Sequence, residues 1–162
     1  MILVALGSNR SGPWGSPRET VERALLALNR DELKLEGASR LIASSPFGKR
    51  DQPLFVNAVA RIVTQLAPQP LMNKLHEIER SAGRSRSVRW GPRTLDLDLL
   101  DYDGVIQNDP GGLVLPHPGM AERIFVLKPL AELAPSWIHP VLHESAATLL
   151  GRLDQAGEGG EI

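Results

Sequence analysis

The stretch Arg89-Trp90-Gly91-Pro92-Arg93-Thr94-Leu95-Asp96-Leu97-Asp98 is the most informative part of the chain for both fold and site. Its first half places a Gly-Pro pair between arginines, which is typical of an irregular loop. Its second half alternates leucine with aspartate, and side chains alternate between the two faces of a strand. The pattern predicts a strand over residues 95–101, with the leucines through Leu99 in the core and with Asp96 and Asp98 projecting together.

Two neighbouring carboxylates repel each other unless a cation lies beside them, and Mg²⁺ accepts such oxygen ligands when substrate phosphates supply the others. Asp96 and Asp98 are therefore candidate metal ligands, although a solvated strand face is the other interpretation of an isolated Asp-x-Asp. Nearby arginines favour a metal-phosphate site, because the guanidinium fork matches phosphate oxygens. The other interpretation is that they form solvated surface ion pairs, which contribute little to stability. These arginines are Arg84, Arg86, Arg89 and Arg93. Trp90, beside the Gly-Pro turn, is typical of a lid that excludes water.

The sequence patterns along the whole chain predict secondary-structure elements in the order strand, helix, strand, strand, helix, strand. Strand patterns cover residues 2–6, 33–44, 54–65, 95–101 and 113–115. Helix patterns cover residues 17–28, which follow a capping box at Ser16–Glu19, a segment from Pro68 to a stop at Gly83, and residues 126–133 and 144–153. Residues 33–44 and 54–65 predict a long hairpin across the loop 45–53. This order predicts a ferredoxin-like α+β sandwich, a mainly antiparallel sheet with helices packed on its faces.

Composition bounds the class of protein. The chain has 162 residues, 42% of them apolar and 23% charged, which is typical of one globular domain. We expect a single domain over residues 1–154 and a flexible tail over residues 155–162, where Gly and Glu are frequent. The formal net charge of -1 argues against a broad nucleic-acid or anionic-membrane surface.

The sequence also narrows chemistry and location. The absence of cysteine excludes thiol catalysis and disulfides. The apolar run at residues 2–6 lacks a basic lead-in and is too short for a signal peptide, and no apolar run approaches the length of a membrane span. We therefore expect a cytoplasmic protein.

Other residues are candidates for ligand contacts. His76 and Glu79 are three positions apart on the second predicted helix, where they are expected to share an exposed face. His117 and Arg123 form a further polar group. The phenylalanines Phe47, Phe55 and Phe125 lie near the polar motifs, together with Ser44 and Asn57. Phenylalanine is most often a core residue; the alternative is a slot in which two rings stack on a planar ligand and the Asn57 amide contacts its edge.

Together these segments resemble the 6-hydroxymethyl-7,8-dihydropterin pyrophosphokinase family. The likeness runs from Gly7-Ser8-Asn9 through residues 48–57 and the stretch 89–98 to His117 and Arg123, and it covers roughly residues 1–140. It implies transfer of the β,γ-diphosphate of ATP to the hydroxymethyl group of the dihydropterin, leaving AMP, in folate biosynthesis. It also implies two Mg²⁺ ions and ATP as co-substrate. No general base for the acceptor alcohol is obvious, and our hypothesis is that Asp98 or metal polarisation assists proton removal.

The resemblance implies roles for particular residues. Asp96 and Asp98 match the metal ligands, and with Arg84 and Arg93 they match the catalytic group. The ATP-binding positions match His76, Glu79, Arg84, Arg86, Trp90, Arg93, His117 and Arg123. The pterin-binding positions match Ser44, Phe47, Gly48, Phe55, Asn57 and Phe125, with Phe55 and Phe125 on the two ring faces. Gly112 and Pro118 stand where some members of the family have a basic residue and a tyrosine.

Two other classes of protein are alternatives. An RNA-binding module of the same fold would need a basic sheet surface with exposed aromatics, and neither is indicated. A different Mg²⁺-dependent phosphotransferase would share Asp96 and Asp98 but would not need the slot between Phe55 and Phe125. We expect a monomer whose partners are the two small substrates. We also expect three loops, residues 10–15, 45–53 and 84–93, to become ordered when ATP binds.

Overall fold

The computed structural model of the protein describes residues 1–44, 54–83 and 94–156. Its main sheet has the strand order β2-β4-β1-β5, β3 also pairs with β4, and all of these pairings are antiparallel. The strands are β1 (Ile2–Ser8), β2 (Leu33–Ala38), β3 (Ile42–Ser44), β4 (Phe55–Thr64) and β5 (Asp96–Tyr102). A separate two-stranded ladder joins β6 (Gln107–Asn108) and β7 (Val114–Leu115).

Helices cover both faces of the main sheet. They are α1 (Pro17–Ala27), α2 (Pro68–Ser81), α3 (Ile124–Leu133) and α4 (Ala146–Ala156), with a 3-10 turn at Met120–Glu122. One apolar cluster joins the sheet to α1 and α2, and a second cluster joins the opposite face to α3 and α4. Because both faces are covered, all seven residues of the central strand β1 are buried. The predicted ferredoxin-like α+β sandwich is confirmed.

Local signals set the bounds of the first two helices. The Ser16 hydroxyl accepts from the Glu19 backbone N–H (3.2 Å), and the Glu19 carboxylate accepts from the Ser16 N–H (2.9 Å), so the predicted capping box is present. Pro68 starts α2, and Gly83, at a φ of +91°, follows its end. In the part of the chain that the structure describes, no helix is long and apolar enough to span a bilayer.

The predicted strand over residues 33–44 is wrong in one respect, because it is divided into β2 and β3. At the break, Ser39 donates its N–H to the Val59 carbonyl (2.9 Å), and its hydroxyl accepts from the Val59 N–H (3.0 Å). A side chain thus replaces one ladder partner, which interrupts regular pairing. The short strand β6 was not predicted, and α4 continues to Ala156, past the predicted start of the tail; residues 157–162 lie outside the described residues.

Candidate active site

The register of the sheet places the two predicted halves of the site in one row. Gly7 of β1 pairs with Asn57 of β4 on one side and with Asp96 of β5 on the other. Directly opposed residues of antiparallel strands project from the same face, so the amide and the first carboxylate flank a residue without a side chain. Next along β1, Ala5 pairs with Asp98 and belongs to the apolar cluster of α3 and α4. The row therefore lies on the α3 face.

Gly7 allows a close approach of the Asn57 side chain. A Cβ placed on Gly7 would lie 3.0 Å from Asn57 Oδ1. The amide thus lies over the backbone of β1, in space that any other residue would occupy. A glycine inside an apolar strand pattern marks this kind of close approach, and it is the sequence signal that could have identified Gly7 as a site residue.

The predicted alternation along β5 is confirmed. Leu95, Leu97 and Leu99 are 0%, 1% and 3% exposed, and all belong to the apolar cluster of α1 and α2. Asp96 and Asp98 are only partly buried, and the Asp98 side chain is 41% exposed. Their oxygens therefore reach the surface on one face of the strand, as metal ligands must.

His117 and Arg123, which form one polar group in the sequence, both approach Asp98. The distance from His117 Nε2 to Asp98 Oδ1 is 4.0 Å, and that from Arg123 Nη1 to Asp98 Oδ2 is 3.9 Å. His117 Nδ1 accepts from the Gly119 N–H (3.1 Å), which assigns the ring proton of the neutral form to Nε2, on the side of Asp98. Burial lowers the pKa of His117; the Asp98 carboxylate opposes this shift and Arg123 adds to it.

A cavity of about 470 Å³ opens beside Asp98. Met72 and His76 of α2 form one side, and Gly112 and His117 form the other. This volume lies in the range of small-molecule sites. His76 and His117 therefore line one cavity, and the two departures from the family pattern, Gly112 and Pro118, line it as well.

The prediction that His76 and Glu79 share an exposed face is wrong. Glu79 is 1% exposed, and its Oε2 accepts from the Leu97 N–H of β5 at 2.8 Å. The reason lies in the tertiary structure. Helix α2 packs against β5 with Ile78 in the core, and β5 covers the neighbouring Glu79. Sequence spacing shows that two helical side chains are neighbours but does not show which face a strand covers.

The predicted pterin side of the site lies at the ends of β3 and β4. Ser44 pairs with Phe55, and Ile42 pairs with Asn57. Ser44 is 6% exposed, and its hydroxyl has no hydrogen-bond partner among the described residues. A buried hydroxyl without a partner is costly, so this atom is a candidate for a ligand contact.

Phe55 and Phe125 are only partly buried, and neither belongs to the two apolar clusters of the described residues. Phe55 lies on β4 two positions from Asn57, so both point to the same face. Phe125 lies in the first turn of α3, next to Arg123. Both rings are therefore available to a ligand rather than used as core, which favours the stacking interpretation.

Several predicted site residues lie outside the described residues, namely Phe47, Gly48, Arg84, Arg86, Trp90 and Arg93. The described neighbours Gly83 and Thr94 both contact the turn at residues 12–15. A Cβ on Gly83 would lie 2.6 Å from Pro13 Cδ, and a Cβ on Gly12 would lie 2.8 Å from Thr94 Cγ2. The turn closes through reciprocal hydrogen bonds between Gly12 and Gly15 (3.0 and 2.9 Å).

Comparisons with known proteins show the family to which this chain belongs. Residues 3–135 match the family model described as 7,8-dihydro-6-hydroxymethylpterin-pyrophosphokinase. The 2-amino-4-hydroxy-6-hydroxymethyldihydropteridine pyrophosphokinase of Pseudomonas aeruginosa is 48% identical over 135 residues, 83% of this chain and 80% of that protein. The Haemophilus influenzae protein of the same name is 43% identical over 139 residues, 85% of this chain and 83% of that protein.

Among solved structures, the chain is similar to Plasmodium falciparum HPPK-DHPS with pteroate, with a TM-score of 0.71 at 13% identity. The match covers 98% of this chain and 45% of that one. The same protein with STZ-DHP gives a TM-score of 0.72, over 98% of this chain and 44% of that one. The chain thus spans less than half the length of these solved chains, and the likeness shows the fold.

Proposed function

Because this chain belongs to the 7,8-dihydro-6-hydroxymethylpterin-pyrophosphokinase family, we propose that it transfers the β,γ-diphosphate of ATP to the hydroxymethyl oxygen of 6-hydroxymethyl-7,8-dihydropterin, leaving AMP. The protein is a pyrophosphokinase of folate biosynthesis. The row Asn57–Gly7–Asp96 carries this proposal. On one side of Gly7 lies an amide suited to the edge of a heterocycle, and on the other side lies a carboxylate suited to a metal-phosphate group.

Asp96 and Asp98 would hold the Mg²⁺ ions, two per site, that the family resemblance implies. Within residues 1–44, 54–83 and 94–156, no group of three or more His, Asp or Glu side chains is placed to hold a metal. A pair of carboxylates fits Mg²⁺, which keeps several ligand positions for substrate phosphates and water. When bound, the ions would offset charge on the transferred and leaving phosphates.

The cavity beside Asp98 is the proposed ATP site. His76 and His117 line it, and the His117 Nε2–H is a donor for a phosphate or ribose oxygen. The Arg123 side chain is 54% exposed and lies 3.9 Å from Asp98, where it would supply a positive charge near the transferred group. Since Gly112 has no side chain, ATP is held on that side without a basic residue.

The acceptor alcohol lies, in this proposal, between the Asn57 amide and the metal-binding face. Phe55 and Phe125 stack on the pterin ring, while Asn57 and the unpartnered Ser44 hydroxyl bond to its polar atoms. Asp98 is the candidate acceptor of the hydroxymethyl proton, because it faces the same side of the strand as Asp96. Positioning of the alcohol and the phosphate then supplies most of the catalysis.

The remaining roles stay predictions from the resemblance. Arg84 and Arg93 are proposed to stabilise charge on the phosphates, Arg86 and Trp90 to contact ATP, and Phe47 and Gly48 to contact the pterin. We also propose a cytoplasmic monomer. Both halves of the proposed site lie on one sheet of one chain, which supports a monomer.

The decisive experiment incubates the protein with ATP, Mg²⁺ and 6-hydroxymethyl-7,8-dihydropterin and identifies both products. AMP and a diphosphorylated pterin are expected. ADP would indicate a simple kinase. Failure of the protein to bind the pterin at all would favour a different Mg²⁺-dependent phosphotransferase.

A further inference from the structure

The Glu79 carboxyl group is buried at the edge of the metal-binding strand. Its Oε2 accepts a hydrogen bond of 2.8 Å from the N–H of Leu97, and the residue is 1% exposed. Leu97 is the residue between Asp96 and Asp98. The contact joins α2 to β5 directly, across eighteen positions of the chain.

This hydrogen bond has a particular place in the sheet. β5 is the last strand of the main sheet, with β1 on one side only. The outward N–H groups of such a strand have no ladder partner, so their position is not set by another strand. Glu79 supplies an acceptor for one of these N–H groups, that of Leu97, which lies between the two proposed metal ligands.

Burial of a carboxyl group is costly unless its hydrogen bonds are made, and an apolar side chain of the same size would fill the space without that cost. A role in packing alone therefore does not explain Glu79. His76, one turn earlier on the same helix, lines the cavity beside Asp98, whereas the Glu79 carboxyl group lies beside the outer edge of β5 at Leu97.

We infer that Glu79 is a positioning residue: it fixes the backbone of β5 at Leu97 so that Asp96 and Asp98 present their oxygens to the same metal ions. It acts through the strand and does not contact the nucleotide, in contrast to the ATP-binding role that the family resemblance implies. The inference rests on the proposed metal-ligand role of Asp96 and Asp98.

The test measures metal binding directly. Mn²⁺ replaces Mg²⁺, and its binding to the protein with a nonhydrolysable ATP analogue is followed by electron paramagnetic resonance. Glu79→Met removes the acceptor at similar volume, and Glu79→Gln keeps an acceptor oxygen. We expect the methionine variant to weaken Mn²⁺ binding by roughly tenfold or more, as loss of an outer-shell partner does, and the glutamine variant to stay within about threefold of wild type.

AMP binding without metal separates the two roles of Glu79. A positioning residue predicts the same AMP affinity in wild type and both variants. A nucleotide contact predicts a loss of AMP affinity in the methionine variant, and that result would overturn the inference.

Glu79→Asp is the second variant, in case Glu79→Met does not fold. Its carboxyl is one methylene shorter and withdraws from the Leu97 N–H, so we expect weakened Mn²⁺ binding here too. Glu77→Met, an exposed position on the same helix, is the matched control and should bind Mn²⁺ as wild type does. Wild-type Mn²⁺ binding in a folded Glu79→Met or Glu79→Asp variant would reject the inference. Because this readout needs no turnover, it is separable from a failure of the pyrophosphokinase assay.

Discussion

Three aspartates on β5 show how one strand gives the same residue type two different environments. Asp101 is 3% exposed; it accepts from the Trp137 indole N–H (2.8 Å) and from the Gly104 N–H (3.1 Å). Asp96 and Asp98 remain at the surface of the α3 face. The residue type alone therefore does not define the proposed metal ligands; solvent access separates them from the structural carboxylate.

Removal of either proposed metal ligand should abolish most activity. We expect Asp96→Ala and Asp98→Ala each to lower kcat by about a hundredfold or more, because charge on the phosphates is no longer offset. The dissociation constant for the pterin, measured by fluorescence, should stay within about threefold of wild type. Asp154→Ala, at an exposed position of α4, is the control. Near-normal turnover in either ligand variant would reject the assignment.

At Phe55 the aromatic ring, rather than any polar group at its edge, should determine pterin affinity. Phe55→Ala removes a ring whose stacking contributes about 1–3 kcal/mol of binding free energy, so the pterin dissociation constant should rise roughly tenfold or more. Phe55→Tyr keeps the ring and should bind the pterin as wild type does. Because Phe55 belongs to neither apolar cluster, the alanine variant should lose far less stability than a core truncation. Equal pterin affinity in Phe55→Ala and wild type, measured by calorimetry, would contradict the stacking role.

At the scale of elements, strand register is what assembles the site. β1 contributes no charged side chain to the row, yet its pairing with β4 and β5 places Asn57 and Asp96 on either side of Gly7. A shift of either strand by one residue would turn its site residue to the opposite face. The buried faces of the sheet therefore hold the row of Asn57, Gly7 and Asp96 in register.

Gly7→Ala should separate binding from stability. The added Cβ would lie 3.0 Å from Asn57 Oδ1, so the amide must move, and the pterin dissociation constant should rise roughly tenfold. The strand itself should not weaken, because glycine within a strand is less favourable than alanine by about 0.5–1 kcal/mol. Titration calorimetry and urea unfolding measure the two effects.

The matched control is Gly37→Ala, in β2, where the nearest atom is the flexible end of Leu133 at 3.3 Å. That variant should bind the pterin as wild type does. If Gly7→Ala lost stability without losing pterin affinity, Gly7 would be a packing residue only.

At the scale of the whole molecule, the face of α3 and α4 is anchored by a buried polar group beyond the site. Trp137 bonds to Asp101 of β5 and packs edge-on against His139. His139 is 6% exposed, and its Nδ1 accepts from the N–H groups of Val141 and Leu142. The ring is thus bound in its neutral form.

This arrangement predicts a pH dependence of stability. Burial lowers the pKa of His139; Asp101 opposes the shift and His143 adds to it. The unfolded chain, with an ordinary histidine pKa near about 6.5, then binds protons more readily than the folded protein, so the free energy of unfolding falls as the pH drops below about 6.5. Urea unfolding at neutral and mildly acidic pH measures this loss.

His139→Asn provides the comparison, because its side-chain oxygen can still accept the two N–H groups but does not titrate. We expect its free energy of unfolding to fall less on acidification than that of wild type. His117 titrates in both proteins and cancels from the difference. Parallel pH profiles would show that His139 does not contribute.

Local patterns determined much of this protein. Leu-Asp alternation placed Asp96 and Asp98 on one face of a strand, and Ser16 with Glu19 marked the start of α1, because side-chain period and helix capping depend on residues a few positions apart. Only the tertiary structure decided that Asn57, Gly7 and Asp96 lie in one row and that Glu79 is buried against β5. Register and the covered face of a helix depend on contacts between distant segments, and spacing within one segment carries no information about them.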